Sequence, residues 1–176
     1  ISDSVICIED DAFRYCDSLN AIDIPSSVAV IGNGVFYHCN ALKNIAADGV
    51  ETIGDDAFYG CESLQDFIIP NTVTTIGRSA FGGCKSLRSI HLPQSVTGIG
   101  DGVFVNSDLS VTTASPRFFS DGVCLFDKIQ QRLICCHRGD VVSYEIPQFV
   151  TAIAENAFMG RDHLRDILMP EGVISI

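Results

Sequence analysis

Six phenylalanines set the frame of this chain. Phe13, Phe36, Phe58, Phe81 and Phe104 stand 23, 22, 23 and 23 residues apart, and Phe158 follows after a gap of 54. Other columns keep the same register. Cys16, Cys39, Cys61 and Cys84 each lie three residues after a Phe, and Leu19, Leu42, Leu64, Leu87 and Leu164 lie three further on. Pro25, Pro70, Pro93, Pro147 and Pro170 form another column, as do Val28, Val50, Val73, Val96, Val150 and Val173. Each valine is followed three residues on by Ile31, Ile53, Ile76, Ile99, Ile153 or Ile176, and the first internal four of these isoleucines precede Gly32, Gly54, Gly77 and Gly100. Self-similarity at a fixed period of this length marks a stack of repeated units.

Each copy reads Leu-x-x-Ile-x-Ile-Pro-x-x-Val-x-x-Ile-Gly-x-x-Ala-Phe-x-x-Cys. Ile-x-Ile has the period of a short strand with one buried face, and proline ends it because it has no N–H for the ladder. Val-x-x-Ile predicts a second short extended stretch, with glycine permitting the turn after it. Ala-Phe-x-x-Cys-x-x-Leu spaces apolar groups as a single helical turn would. One such unit cannot bury its own apolar face; stacking like units gives a continuous core.

Length and charge narrow the rest. The 176 residues suit one domain, and 47% hydrophobic against 19% charged residues excludes wholesale disorder. The net charge is −11 and the only lysines are Lys43, Lys85 and Lys128. A chain without a basic face is not expected to bind nucleic acid or an anionic membrane surface. No apolar run approaches the ~18 residues of a membrane span, and no signal-peptide pattern opens the chain. Neither terminus carries the polar cap that a solenoid end needs, so the chain is expected to be part of a longer array.

The segment Leu64–Cys84, LQDFIIPNTVTTIGRSAFGGC, resembles the repeat of the BspA-like leucine-rich repeat family, and the likeness covers almost the whole chain. Residues Ser115–Phe119, Asp121–Lys128, Leu133–Ile134 and Tyr144–Pro147 resemble the β-hairpin unit that this family places between ordinary repeats. The chain departs from the pattern at Ala47-Asp48, where proline is missing, and at Ser107 and Arg161, which replace the column cysteine. Cys135-Cys136-His137 stands where a proline is expected after Leu133-Ile134. The resemblance implies a repeat solenoid: a right-handed, β-rich coil of short parallel strands and short helical turns with one β-hairpin insertion. Within a single continuous domain, residues 1–107 and 147–176 are expected to be leucine-rich repeats and 108–146 the hairpin unit.

Several residue groups invite a chemical site. The column cysteines have no zinc-ligand spacing. Their side chains point the same way, so they are expected to stay unpaired buried thiols although neighbouring coils lie within disulfide reach. Cys7 falls in a column of Val30, Thr52 and Thr75, and is expected to be partly exposed. Cys135-Cys136-His137 would alternate across a strand, which favours packing over metal binding. Asp10-Asp11, Asp55-Asp56, Asp101 and Glu155 precede the Ala-Phe turn, where capping of a helical turn accounts for them better than calcium does. Asn33 and Arg78 break that column. His38, His91, His137 and His163 occupy different columns, and no nucleophile elbow, zinc motif or phosphate loop is present. No catalytic residue, metal or cofactor is expected.

Function then falls to the strand positions that the repeat leaves free. One outward column reads Ala21, Asn44, Asp66, Ser89 and Asp166, and the next Asp23, Ala46, Ile68, His91, Glu145 and Leu168. Of these, Asp23, Asn44, Asp66, Ile68, Ser89, His91, Glu145 and Leu168 are the candidate binding residues, because acidic, small and exposed apolar groups together suit a protein-facing surface. The family resemblance implies a surface or secreted microbial protein linked to adhesion to host, neighbouring-cell or matrix proteins. The expected module is monomeric and non-enzymatic. A structural spacer is the alternative. A carbohydrate-binding module is a further one, opposed by the absence of Trp and the presence of only four Tyr. Tyr15, Tyr37 and Tyr59 lie beside Phe13, Phe36 and Phe58 in what reads as one column on the convex side. An extracellular home would favour oxidised cysteines, whereas the column thiols read as buried and unpaired.

Overall fold

The computed structural model describes residues 1–176. Fifteen short strands follow one another, beginning with β1 (Cys7–Ile8), β2 (Ala21–Asp23), β3 (Val30–Ile31), β4 (Asn44–Ala46) and β5 (Thr52–Ile53). Next come β6 (Thr75–Ile76), β7 (Ser89–Leu92), β8 (Gly98–Ile99), β9 (Ser110–Thr113) and β10 (Phe118–Ser120). The chain ends with β11 (Cys124–Asp127), β12 (Arg132–Cys136), β13 (Ser143–Glu145), β14 (Ala152–Ile153) and β15 (Asp166–Leu168). They wind into a β-solenoid of about seven turns.

The Val-x-x-Ile segments build one five-stranded parallel sheet, β1-β3-β5-β6-β8. Its register stacks Ile8, Ile31, Ile53, Ile76 and Ile99 directly on one another. The Ile-x-Ile segments form a second flank, divided into the parallel pairs β2–β4, β7–β9 and β13–β15. Between Ile99 and Ile153 an antiparallel hairpin is inserted: β10, β11 and β12 pair in order, and β12 then pairs in parallel with β14. Like residues therefore bury like residues along the axis. Phe13, Phe36, Phe58 and Phe81 stack with ring centroids 5.3–5.5 Å apart. Phe36, Phe58, Phe81 and Phe104 are fully buried.

The Ala-Phe-x-x-Cys segment is not helical, contrary to its spacing. Its backbone alternates between two partners. Gly34, Phe36 and His38 donate to carbonyls of the next coil (Asp55, Ala57, Tyr59; 2.7–2.8 Å), whereas Tyr37 and Cys39 donate three residues back (3.0 Å each). A helix would turn every N–H back along its own segment; here alternate groups point along the solenoid axis instead. The geometry needs left-handed residues, at φ 60° for Gly34 and 55° for His38. The equivalent sites in other coils include Tyr15, Asp56, Ser79 and Asn106, which accept the same conformation without being glycine.

The glycine column has a different cause from the one its position suggests. Gly32, Gly54, Gly77 and Gly100 do not have positive φ. They allow close approach of coils: a Cβ on Gly77 would lie 2.4 Å from the Asp55 backbone nitrogen. Gly77→Ala is therefore expected to cost about 1–3 kcal/mol through overpacking, measured as a lower urea midpoint. Gly98→Ala, where a Cβ meets only the Thr75 side chain at 3.4 Å, is the matched control and should change little.

Candidate functional site

All eight candidate residues of the outward columns are exposed: Asp23, Asn44, Asp66, Ile68, Ser89, His91, Glu145 and Leu168. The alternation of the strands causes this, since Ile22, Ile45, Phe67, Ile90, Val111, Tyr144 and Ile167 point inward between them. The structure brings six of the eight together. Asp23, Asn44, Asp66 and Ile68, with Ala46 and Asp48, line a depression of about 350 Å³. Asp66, Ile68, Ser89 and His91, with Asn71, line a second of about 280 Å³. Glu145 and Leu168 are paired with each other on β13–β15 beyond the insertion and line neither depression.

Between the two depressions the sheet is interrupted. Residues Asp66–Ile68 belong in the gap between β4 and β7, but the backbone from Gln65 to Ile69 makes no backbone hydrogen bond to either neighbour. Phe67 accounts for the break. Other coils place Ile22, Ile45 or Ile90 at this position; the Phe67 ring instead packs tilted against the side of the stacked Phe58–Phe81 pair, at 5.1 and 5.2 Å from the two rings. Ile68 is left 87% exposed, flanked by Asp66 and the two hollows. His91 is oriented by Thr112, with Nδ1 2.9 Å from the hydroxyl. Asp48 and Asn71 also line the hollows, and the columns did not single them out. Their signal was their position beside the strand-ending proline site.

The cysteine column is structural. The thiols of Cys39, Cys61 and Cys84 donate to the carbonyls of Phe13, Phe36 and Phe58 in the preceding coil, at 3.0, 3.1 and 3.3 Å. Ser107 continues the series, donating to Phe81 at 2.9 Å and accepting the Cys84 N–H. Burial pushes Cys39 up to about 11 and Cys84 up to about 12, so neither is a nucleophile near neutrality. Cys7 is half-buried.

The acidic residues before the Phe do not cap helices, because there are no helices to cap. Asp10 accepts the Asn33 N–H, Asn33 accepts the Asp55 N–H, and Asp55 accepts the Arg78 N–H, at 2.6–2.8 Å. Each side chain thus ties its coil to the next, and Asn33 takes part rather than breaking the series. In the hairpin, Cys135 and Cys136 enter different core clusters, as strand alternation requires. His137 is fully buried; Nδ1 donates to the Leu109 carbonyl and Nε2 accepts from Ser120, each at 3.0 Å. Burial holds His137 below the usual histidine pKa, so in the neutral form it clamps the hairpin to Leu109, the residue just before β9.

The tyrosines satisfy one another. Tyr37 stacks on Tyr59 at 5.3 Å, and the Arg14 guanidinium sits 4.1 Å over the Tyr37 ring. Tyr15 stacks on His38, whose left-handed position it shares, rather than on Tyr37. Gly82 lies beneath Tyr59, its Cβ position 2.6 Å from the ring. Ring faces of Tyr37 and Tyr59 are thus covered within the protein, whereas Tyr15 remains 59% exposed. No helix is long and apolar enough to cross a membrane.

The family model described as the BspA type leucine rich repeat region matches residues 1–110 and 127–176 in six copies. Among solved structures, a leucine-rich repeat protein from Bacteroides ovatus is similar at 27% identity and a TM-score of 0.69, over 96% of this chain and 42% of that one. The pneumococcal vaccine antigen PcpA is similar at 25% identity and 0.65, over 96% of this chain and 51% of that one. A leucine rich cell surface protein from Faecalibacterium prausnitzii is similar at 26% identity and 0.53, over 98% and 60%. The chain thus spans about half the length of the first two. No functionally curated protein matches the sequence.

Proposed function

This chain belongs to the BspA-type leucine-rich repeat family, and from that premise we propose that it is a protein-binding module without chemistry of its own. It acts at a microbial cell surface or outside the cell, adhering to a host, neighbouring-cell or matrix protein. The observation that carries this reading is Ile68: a large apolar side chain 87% exposed on the outward strand face, between two hollows whose lining mixes Asp23, Asn44, Asp66, Ser89 and His91 with Ile45, Ala46, Ala47, Phe67 and Ile69. An exposed apolar anchor set among mixed acidic, neutral polar and apolar groups suits a protein-recognition patch. The cell-surface description of the Faecalibacterium relative supports the compartment.

The test compares the parent with a variant carrying Ile68→Lys, His91→Glu and Leu168→Glu as bait in host-cell and matrix extracts. These side chains are exposed, so the fold should hold within about 0.5 kcal/mol per site. A partner held by the parent and lost at least tenfold by the variant is the expected result. Equal capture by both would move the site off this face. Capture by neither would leave the chain as a spacer.

A further inference from the structure

We propose that Cys124 and Cys136 are a latent disulfide site that clips the hairpin insertion shut when the protein meets an oxidising small disulfide. The two residues are directly opposed on the antiparallel strands β11 and β12. The bond from the His137 N–H to the Val123 carbonyl, at 2.9 Å, flanks the pair and identifies it as a non-hydrogen-bonded one. Such pairs hold their Cα atoms about 4.5 Å apart with side chains on the same face, inside the ~4.4–6.8 Å window of a disulfide. Both side chains are buried in the core cluster that includes Tyr144. No other cysteines share this relation. Cys135 faces the other cluster opposite Leu125, and the column thiols point in parallel at carbonyls of the preceding coil.

The two thiols are also unlike each other. The neighbouring Cys124 thiol lowers Cys136, whereas burial pushes Cys124 up, and the Cys136 Sγ lies 3.6 Å from the Arg138 carbonyl. Cys136, the more acidic of the two, is then the attacking group once deprotonated. It attacks one sulfur of a small disulfide such as oxidised glutathione, and one glutathione leaves as thiolate and takes a proton. Cys124 gives up its proton and attacks the Cys136 sulfur of the mixed disulfide, which expels the second glutathione. Net, two cysteine thiols are oxidised and one small disulfide is reduced to two thiols. Because both sulfurs are buried, the exchange proceeds through brief opening of the hairpin.

The site is independent of the outward strand face, so its failure leaves the binding reading standing. The folded chain is incubated with oxidised glutathione, quenched in acid, unfolded, alkylated and mapped by mass spectrometry. One linked peptide joining Cys124 to Cys136 is expected, with the other six cysteines alkylated. Amide exchange across Leu125–Cys135 should slow in the oxidised form and recover with a reducing thiol. Cys124→Ser should abolish the link, while Cys61→Ser should leave it. Full alkylation of both residues, a glutathione adduct that persists on Cys136, or a link through Cys135 would each overturn the proposal.

Discussion

Phe58→Ala is expected to cost the chain about 3–5 kcal/mol, a large share of the ~5–15 kcal/mol typical of a domain. Phe58 is fully buried and touches three rings: Phe36 and Phe81 above and below at 5.3 Å each, and Phe67 at 5.1 Å. Truncation therefore leaves a cavity whose walls belong to three coils, and the coils cannot close it because backbone hydrogen bonds fix their spacing. Phe58 N–H is bonded to the Ala80 carbonyl at 2.8 Å and Phe36 N–H to the Ala57 carbonyl at the same distance. Equilibrium urea unfolding checks the figure. A loss below ~1 kcal/mol, smaller than for a typical large-to-small core change, would show that the stacked rings are not the main source of cohesion. Phe13, half-buried at the first turn and stacked on one neighbour, should cost much less when truncated.

The second large effect sits at the entrance to the hairpin. Asp127 is 3% exposed; one carboxylate oxygen accepts two bonds from Arg117, at 2.8 and 2.6 Å, and the other accepts the N–H groups of Ile129 and Gln130. Arg117 also donates to the Thr97 carbonyl at 2.7 Å, which joins the hairpin to the preceding coil. Arg117→Ala strands a buried carboxylate and is expected to cost about 3 kcal/mol, the lower end for breaking such a pair because the arginine is partly exposed.

The acid response supplies an independent check. Burial raises the Asp127 pKa, but the Arg117 bonds and the two backbone N–H groups outweigh it, and the net shift is downward. A depressed carboxylate contributes stability that is present above the unfolded value of ~3.9 and lost as pH falls through the folded value. The wild type should therefore lose stability below about pH 4, and Arg117→Ala should lose less over that window. Parallel acid profiles would refute the pairing as the source.

The repeat architecture was legible because seven columns in register leave stacking as the only way to bury them. What the columns could not show was how the backbone runs between them. Tyr15, His38, Asp56 and Ser79 adopt left-handed φ with no common chemistry, so the turn looked helical from its apolar spacing. Gly77 and its equivalents looked like turn residues, when the constraint is a neighbouring coil that only stacking brings near. The outward candidates were placed correctly on the exposed side by a period of two. The break beside them was visible only as Phe67 in an isoleucine column, a signal without meaning until the ring is seen against the side of the stacked Phe58 and Phe81. Facing of Cys124 and Cys136 was hidden for another reason. The register of the hairpin shifts between Leu125 and Phe126, so counting back from the Asp127–Arg132 pair at the turn sets Cys124 opposite Cys135 instead of Cys136.

The interruption at Asp66–Ile68 has a mechanical consequence. On one flank of this coil, β5 and β6 remain bonded, and the Gly77 N–H holds the Ile53 carbonyl at 2.8 Å. On the other flank only side-chain packing crosses the gap. Flexing that parts this flank between Gln65 and Ile69 meets no backbone hydrogen bond before the one from the Ser86 N–H to the Glu62 carbonyl at its edge, whereas flexing the opposite way strains a five-stranded sheet. Between β1 and β8 the array is thus built as a leaf spring slotted at this coil, and a change in its curvature is expected to concentrate where Ile68 stands.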